Sequence, residues 1–314
     1  MSIDFRTNEE PEALNGFEHE PVVVTNKRLT RGQLIRRRFF RNRSAVVGLI
    51  IIGALVALAL FGQYLLPWQF DQRDVGQYYK SPSPQHLFGT TQAGFDVLSR
   101  TIRGLGKSLI IGFMVAIIQT TMAALIGSSA AYIGGVYEKV WLWVIDLMLV
   151  LPSFFLIAIV SQGGPKGSYA WLLLVILLAA FGWQLSARVV RSLSMSVKER
   201  EYVAAARFMG LSTPRLLVRH IVPNIASMLI VDVCLGVGYA ILGEAGLSYF
   251  GYGVQSPDTS LGTLISEGAQ STTIAPWIFL APASVLVLLV MCVNALGDGL
   301  RDALDPTSLS GGQA

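Results

Sequence analysis

The sequence predicts an all-α integral membrane protein, six transmembrane helices with one basic, helical loop held outside the bilayer. Three observations predict it. Of the 314 residues 53% are hydrophobic and only 14% charged, with a mean hydropathy of +0.55, whereas a soluble domain carries about 25% charge. Six apolar runs match the roughly 20 helical residues that a hydrocarbon core about 30 Å thick requires. None alternates as a lipid-facing barrel strand does, and lipid offers the backbone no partner outside a helix.

Taken in order, residues 1–26 are acidic and polar, too poor in apolar side chains to fold alone, and are expected to be a disordered tail. Segment 27–44 holds eight basic and no acidic residues between Lys27 and Arg43, which places the N-terminus in the cytoplasm. A cleavable signal peptide is not expected, because the first apolar run starts beyond residue 44 and no small-residue cleavage site follows it.

The transmembrane domain is expected over 45–305, with spans at 45–66, 108–133, 140–160, 170–190, 225–243 and 277–296. Six crossings return the C-terminus to the cytoplasm. Pro152 and Pro282 interrupt the third and sixth spans, where they either bend moving elements or, as is commoner, shape a static bundle. Gly236, Gly238 and Gly243, with Ala240, allow close packing of the fifth. Cys234 and Cys292 lie inside apolar runs and read as small buried hydrophobes rather than a disulfide or metal pair. Residues 306–314 are expected to form a flexible tail.

Between spans four and five lies a loop, 191–224, that stays in water. From Arg188 to Arg219 it holds seven basic residues against two acidic ones, which agrees with a cytoplasmic position. Val197, Tyr202, Val203, Ala206 and Met209 fall at helical spacing and predict one packed stripe. Gly210 reads as a C-terminal cap. Ser212 or Thr213 would then cap a second short helix that accepts Pro214 in its first turn and buries Leu216, Leu217, Ile221 and Val222. Pro223 stops it. By physics alone this could equally be an amphipathic loop resting on lipid headgroups.

The stretch 201–224 resembles the "EAA" loop of binding-protein-dependent ABC transporter permeases, with Glu201, Ala205 and Gly210 at the motif's positions. With Tyr202, Arg207, Arg219-His220 and Pro223-Asn224 it is similar to the peptide and nickel permease family. "HLFGTTQAGFDVLSRTIRGLGKSL" (86–109) is similar to that family's outer-loop signature, with Thr91 where an acidic residue is usual and Phe95 where an arginine is usual. "EAGLSYFGYGVQSPDTSLGTLI" (244–265) resembles the signature after the fifth span, with Leu261 in place of a tryptophan, and "NALGDGLRDALDP" (294–306) the C-terminal end. Four motifs in order place the chain nearest the C-type membrane subunits of dipeptide and oligopeptide importers.

The resemblance implies a type I ABC importer permease in a prokaryotic cytoplasmic membrane. It implies a coupling helix at 201–224 that docks into an ATPase subunit through Glu201, Tyr202, Ala205, Ala206, Arg207, Gly210, Arg219, His220 and Pro223. It further implies a heterodimer with a second permease, ATP and Mg used by the partner ATPases with no cofactor on this chain, and no catalysis here. A solute-binding protein would touch the outer loops at 67–107 and 244–275, with Asp96, Arg100, Glu244 and Gln255 as candidate contacts. Peptides are the implied cargo, the family also covering nickel complexes and other small polar solutes, with nucleic acid not among the partners.

Charged groups inside spans are expensive and so carry hypotheses. Asp146, near the inner end of span three, reads first as structural and second as part of a translocation path. Asp232, about eight residues into span five, reads either as lining that path, where it would attract a peptide amino group, or as making an interhelical hydrogen bond.

Other motifs fail on context. "LSGGQ" (309–313) matches an ATPase signature but has only Ala314 after it, so no helix can present its N–H groups. "GLGKS" (104–108) lacks the first glycine of a phosphate loop, Thr101 standing there. "FGYGV" (250–254) suggests an ion channel filter, but Tyr249-Phe250 replaces Thr-Val. A membrane enzyme is the remaining alternative, but His19, His86 and His220 lie at no metal-binding spacing, and a triad of Ser81, His86 and Asp96 has no fixed spacing behind it.

Overall fold

The computed structural model describes residues 31–164, 167 and 169–304. The expected tails at 1–26 and 306–314, with the "LSGGQ" motif, lie outside the described residues.

Helix α1 (Arg31–Arg41) is followed after Asn42 by α2 (Arg43–Leu65), the first span. The Asn42 side chain accepts the Ala45 N–H and so starts α2. Helix α3 (Val97–Ile133) has 37 residues and begins well before residue 108. Asp96 caps it, accepting the Ser99 N–H at 2.7 Å. The cations that bound the apolar run here, Arg100, Arg103 and Lys107, lie in the first three turns of α3. Arg103 and Lys107 both pair with Asp258, and Arg100 grips Glu267 with two nitrogens. Hydropathy reports contact with lipid, not helix, so the first turns of α3 were missed.

The third and fourth spans are bent pairs. Helix α4 (Gly135–Val150) and α5 (Ser153–Gln162) meet at 77° at Leu151-Pro152, as the missing proline N–H predicts. Helix α6 (Ala170–Ala180) and α7 (Gln184–Lys198) meet at 44°, a bend the sequence reading did not expect because no proline marks it. Side chains satisfy the carbonyls it frees. Trp183 Nε1 and Gln184 Nε2 donate to Ala180 O at 2.9 and 3.3 Å, and Gln119 Nε2 of α3 donates to Leu178 O at 2.9 Å.

After the loop helices α8 (Glu201–Phe208) and α9 (Thr213–Leu216) come α10 (Ala226–Tyr249), a short α11 (Leu261–Ala269) and α12 (Pro276–Leu304). Pro282 lies inside α12, which runs through it as one helix. Helices α2, α3, α10 and α12 are each long and apolar enough to cross a membrane, and the two bent pairs bring the described spans to six if each pair is one span.

Helix α3 is the axis of the bundle. Toward the far end Leu105 meets Leu55, Ile241, Leu261 and Leu289 from α2, α10, α11 and α12. On another side Ile111 and Val115 pack with Ile157, Leu174 and Ala240. Toward the loop end Ala123 joins Ala187 and Val190 of α7 and the buried side of α8 and α9. At Gly127 the two helices approach closely: a Cβ there would stand 2.5 Å from the Ala187 carbonyl oxygen. Close-packed interiors transmit displacement, so α3 and α7 form one stiff shaft.

Candidate functional site

The shaft carries the loop. Lys198, at the end of α7, donates to Ala131 O of α3 at 3.0 Å with its ammonium near the Tyr132 ring. The helix breaks at Glu199-Arg200 and α8 starts afresh at Glu201, whose carboxylate lies at the positive end of the helix. This break corrects the predicted stripe. A restarted helix has its own rotation, so Val203 and Ala206 point inward while Tyr202 and Met209 face out.

Gly210 ends α8 with φ of +79°. The Leu211 N–H reaches Ala206 O at 3.3 Å and the Gly210 N–H reaches Arg207 O at 3.0 Å, the paired bonds of a left-handed helix stop. Pro214 sits in the first turn of α9 as predicted, but neither Ser212 nor Thr213 caps it with a side chain; the Ser212 carbonyl receives the Leu216 N–H instead. The chain then widens into a π-turn, Leu217–Ile221, and tightens into a 3₁₀ turn, Val222–Asn224, that contains Pro223. Asn224 Nδ2 closes this stretch on His220 O at 2.6 Å.

Leu216 and Ile221 are wholly buried with Ile145, Trp183, Val190 and Val197 beneath them. The opposite surface is open. Glu201, Tyr202, Ala205, Arg207, Gly210, Arg219 and Pro223 are exposed and His220 is half-buried. Ala206 is the exception among the predicted docking residues, for it forms part of the floor. Phe208, which sequence reasoning passed over, is 92% exposed beside Met209 at 74%. An aromatic side chain one residue outside an inward stripe, two residues before a glycine stop, was the signal.

A second site lies along α10. Asp232 accepts hydrogen bonds from Thr120 Oγ1 of α3 and Ser186 Oγ of α7, both at 2.6 Å. It also lines a cavity of about 400 Å³ with Gln119, Ser153, Leu235 and Tyr239. The carboxylate therefore makes the interhelical bonds and faces open space at once. Asp146 lies elsewhere, paired with Arg188 of α7 on the bundle surface and absent from the cavity wall.

At the far end the 66–96 loop folds on His86, which is fully buried. Its Nδ1 lies 2.9 Å from Asp96 and its Nε2 3.3 Å from Asp74, with Trp68 against the ring. Ser81 is not among its partners. Asp96, 4% exposed, and Glu244, 0% exposed and bonded to Ser108 and Ser248, hold structure together and offer no surface for a binding protein. Arg100 pairs with Glu267, and Gln255 is half-buried in a turn closed by Asp258. The Phe95 ring, in the place of the usual arginine, receives the Arg73 and Arg100 guanidiniums at 4.9 and 5.1 Å. Thr91 is buried and accepts the Phe95 N–H.

Two tempting motifs dissolve in the fold. "GLGKS" lies within α3, and the glycine of "FGYGV" at position 251, φ +85°, stops α10 with the same paired bonds seen at Gly210.

Comparison with known proteins agrees with this geometry. Residues 123–308 match the family model for the binding-protein-dependent transport system inner membrane component, and residues 30–82 match the N-terminal TM domain of oligopeptide transport permease C. The oligopeptide transport system permease protein OppC of Mycobacterium tuberculosis H37Rv is 50% identical over 281 residues, 90% of this chain and 96% of that protein. The proteins of the same name from Escherichia coli K12 and Bacillus subtilis 168 are 36% and 34% identical, over 94% and 95% of this chain and 96% of each relative. With its helical bundle, its glycine-stopped loop and these matches over nearly the whole length, the chain belongs to the family of binding-protein-dependent transport permeases of the inner membrane.

Proposed function

We propose that this chain is the C-type permease of an ATP-driven peptide importer, pairing with a second permease and receiving force through α8 from an ATPase subunit. The observation that carries the reading is the two-sided loop: an apolar floor locked onto the α3–α7 shaft, and an open roof bearing Phe208 and Met209. Exposed aromatic side chains beside arginines are the composition of protein contacts with large effect. The loop, and with it both termini, lies in the cytoplasm on this reading, and a solute-binding protein meets the opposite end through its exposed surface rather than through Asp96 or Glu244.

The path from roof to cargo is short. Force on Phe208 passes through Val203 and Ala206 into the floor and along α7, where Ser186 lies twelve residues before Lys198, about 18 Å of helix. Ser186 holds Asp232. A shift of the α3–α7 shaft against α10 would stretch this bond together with the one from Thr120 and free the carboxylate for a cationic cargo group, tying the nucleotide cycle to the cavity.

Uptake of labelled free and N-acetylated peptides by the assembled transporter tests the proposal. The wild type is expected to need ATP and to prefer the free amine; Asp232→Asn keeps a hydrogen-bonding group in place and should lower that preference by about tenfold, the worth of a charge-assisted bond. An unchanged preference would leave Asp232 a structural group only. Absence of ATP-dependent uptake of any peptide would sink the importer reading itself.

A further inference from the structure

We infer that α1 is a binding site for anionic phospholipid headgroups on the membrane face where the coupling loop lies. The chemistry is in the sequence RGQLIRRRFFR, which carries no carboxylate. Arg36, Arg37, Arg41 and the following Arg43 are exposed, and among the described residues none of the four is in an ion pair. Four guanidiniums on so short a segment repel one another unless anions gather beside them.

The helix is fixed in place on one side. Phe39 and Ile35 pack against Ala303, Leu300 and Leu296 of α12 and against Ala45 of α2. Asn42 Nδ2 reaches Asp302 at 3.4 Å. The outward side then forms a recess of about 350 Å³ lined by Gln33, Arg36, Arg37 and Phe40. Two guanidiniums supply the forked donors that phosphate oxygens accept. Phe40, 60% exposed, adds an apolar surface at the same place, which a glycerol and acyl boundary would cover.

Position selects lipid over other polyanions. A single residue, Asn42, separates α1 from α2, and the apolar run of α2 begins at Ala45. The recess is thus held beside the headgroup layer by covalent connection. The α12 end that α1 touches lies on the same side of the bundle as the starts of α2 and α10 and the ends of α3 and α7, which is the side of α8. Polybasic segments at such a junction attract anionic leaflets through the surface potential, an attraction that falls off within a Debye length.

The test uses the full chain with the subunits it assembles with, in bilayer discs of equal phosphatidylglycerol and phosphatidylcholine. Phe40→p-benzoylphenylalanine cross-links its neighbours on illumination, and mass measurement counts each lipid. Phosphatidylglycerol adducts are expected to exceed the input ratio roughly threefold or more, and to return to it in Arg36→Gln/Arg37→Gln/Arg41→Gln. The same photoreactive group replacing Phe61, exposed near the far end of α2, should report the input ratio in both forms and shows that the variant is inserted. Should the variant not insert, raising salt to about 0.5 M on the unmutated arginines should erase most of the enrichment. Adducts at the input ratio, enrichment that survives both loss of the arginines and high salt, or adducts to protein alone would overturn the inference.

Discussion

Gly210→Val is expected to reduce ATP-driven uptake by about tenfold or more while the amount of inserted, folded permease stays near wild type. The left-handed backbone at φ +79° disfavours any side chain by roughly 1–2 kcal/mol, and a β-branched one further. Nothing stands within 4 Å of a Cβ at this position, so the defect is one of conformation and not of collision. Valine would open the paired bonds to Ala206 and Arg207 and re-aim α9 relative to α8. The roof would lose its shape while the buried spans kept theirs. Gly210→Asn, which tolerates this conformation, should retain most uptake. Full uptake by a well-inserted Gly210→Val protein would contradict the role given to this turn.

Gly127→Leu should fail in the opposite way, through the fold. A Cβ at Gly127 meets the Ala187 carbonyl oxygen at 2.5 Å and Val190 Cγ1 at 2.9 Å. A backbone oxygen cannot rotate aside, so α3 and α7 must part. Overpacking costs about 1–3 kcal/mol in ordinary cores, and a contact made against backbone lies at the upper end. The thermal midpoint of the purified permease, followed by loss of the monodisperse species on heating, should fall by roughly 5 °C or more. Gly127→Ala should fall between the two. A wild-type midpoint for Gly127→Leu would mean that the shaft is looser than its geometry says.

What was legible in the sequence was whatever lipid or backbone chemistry forces. Six apolar runs had to be helical, Pro152 had to break one, and Gly210 had to turn the loop. The bend at Phe181–Trp183 was hidden because no proline marks it and side chains make it tolerable: Gln119 of α3, Trp183 and Gln184 satisfy the freed carbonyls. The early start of α3 was hidden because Arg100, Arg103 and Lys107 find Glu267 and Asp258, partners remote in sequence. Asp96 and Glu244 looked like surface groups for the same reason, since burial comes from His86, Ser108 and Ser248 closing around them. Asp232 was recognised as special, but its bond to α7, which links the cavity to the loop, required the three-dimensional pairing with Ser186. Phe208 was missed because the inward stripe was extended across the break at Glu199-Arg200.

The most direct measurement is the accessibility of Phe208→Cys to a membrane-impermeant maleimide, with the unsubstituted chain as blank. The native thiols lie within helices α10 and α12, whereas position 208 stands clear of the fold. The account predicts no labelling in intact cells, strong labelling in inside-out vesicles stripped of the ATPase subunit, and protection when that subunit is restored. Labelling from the cell exterior, or equal labelling with and without the ATPase, would contradict it.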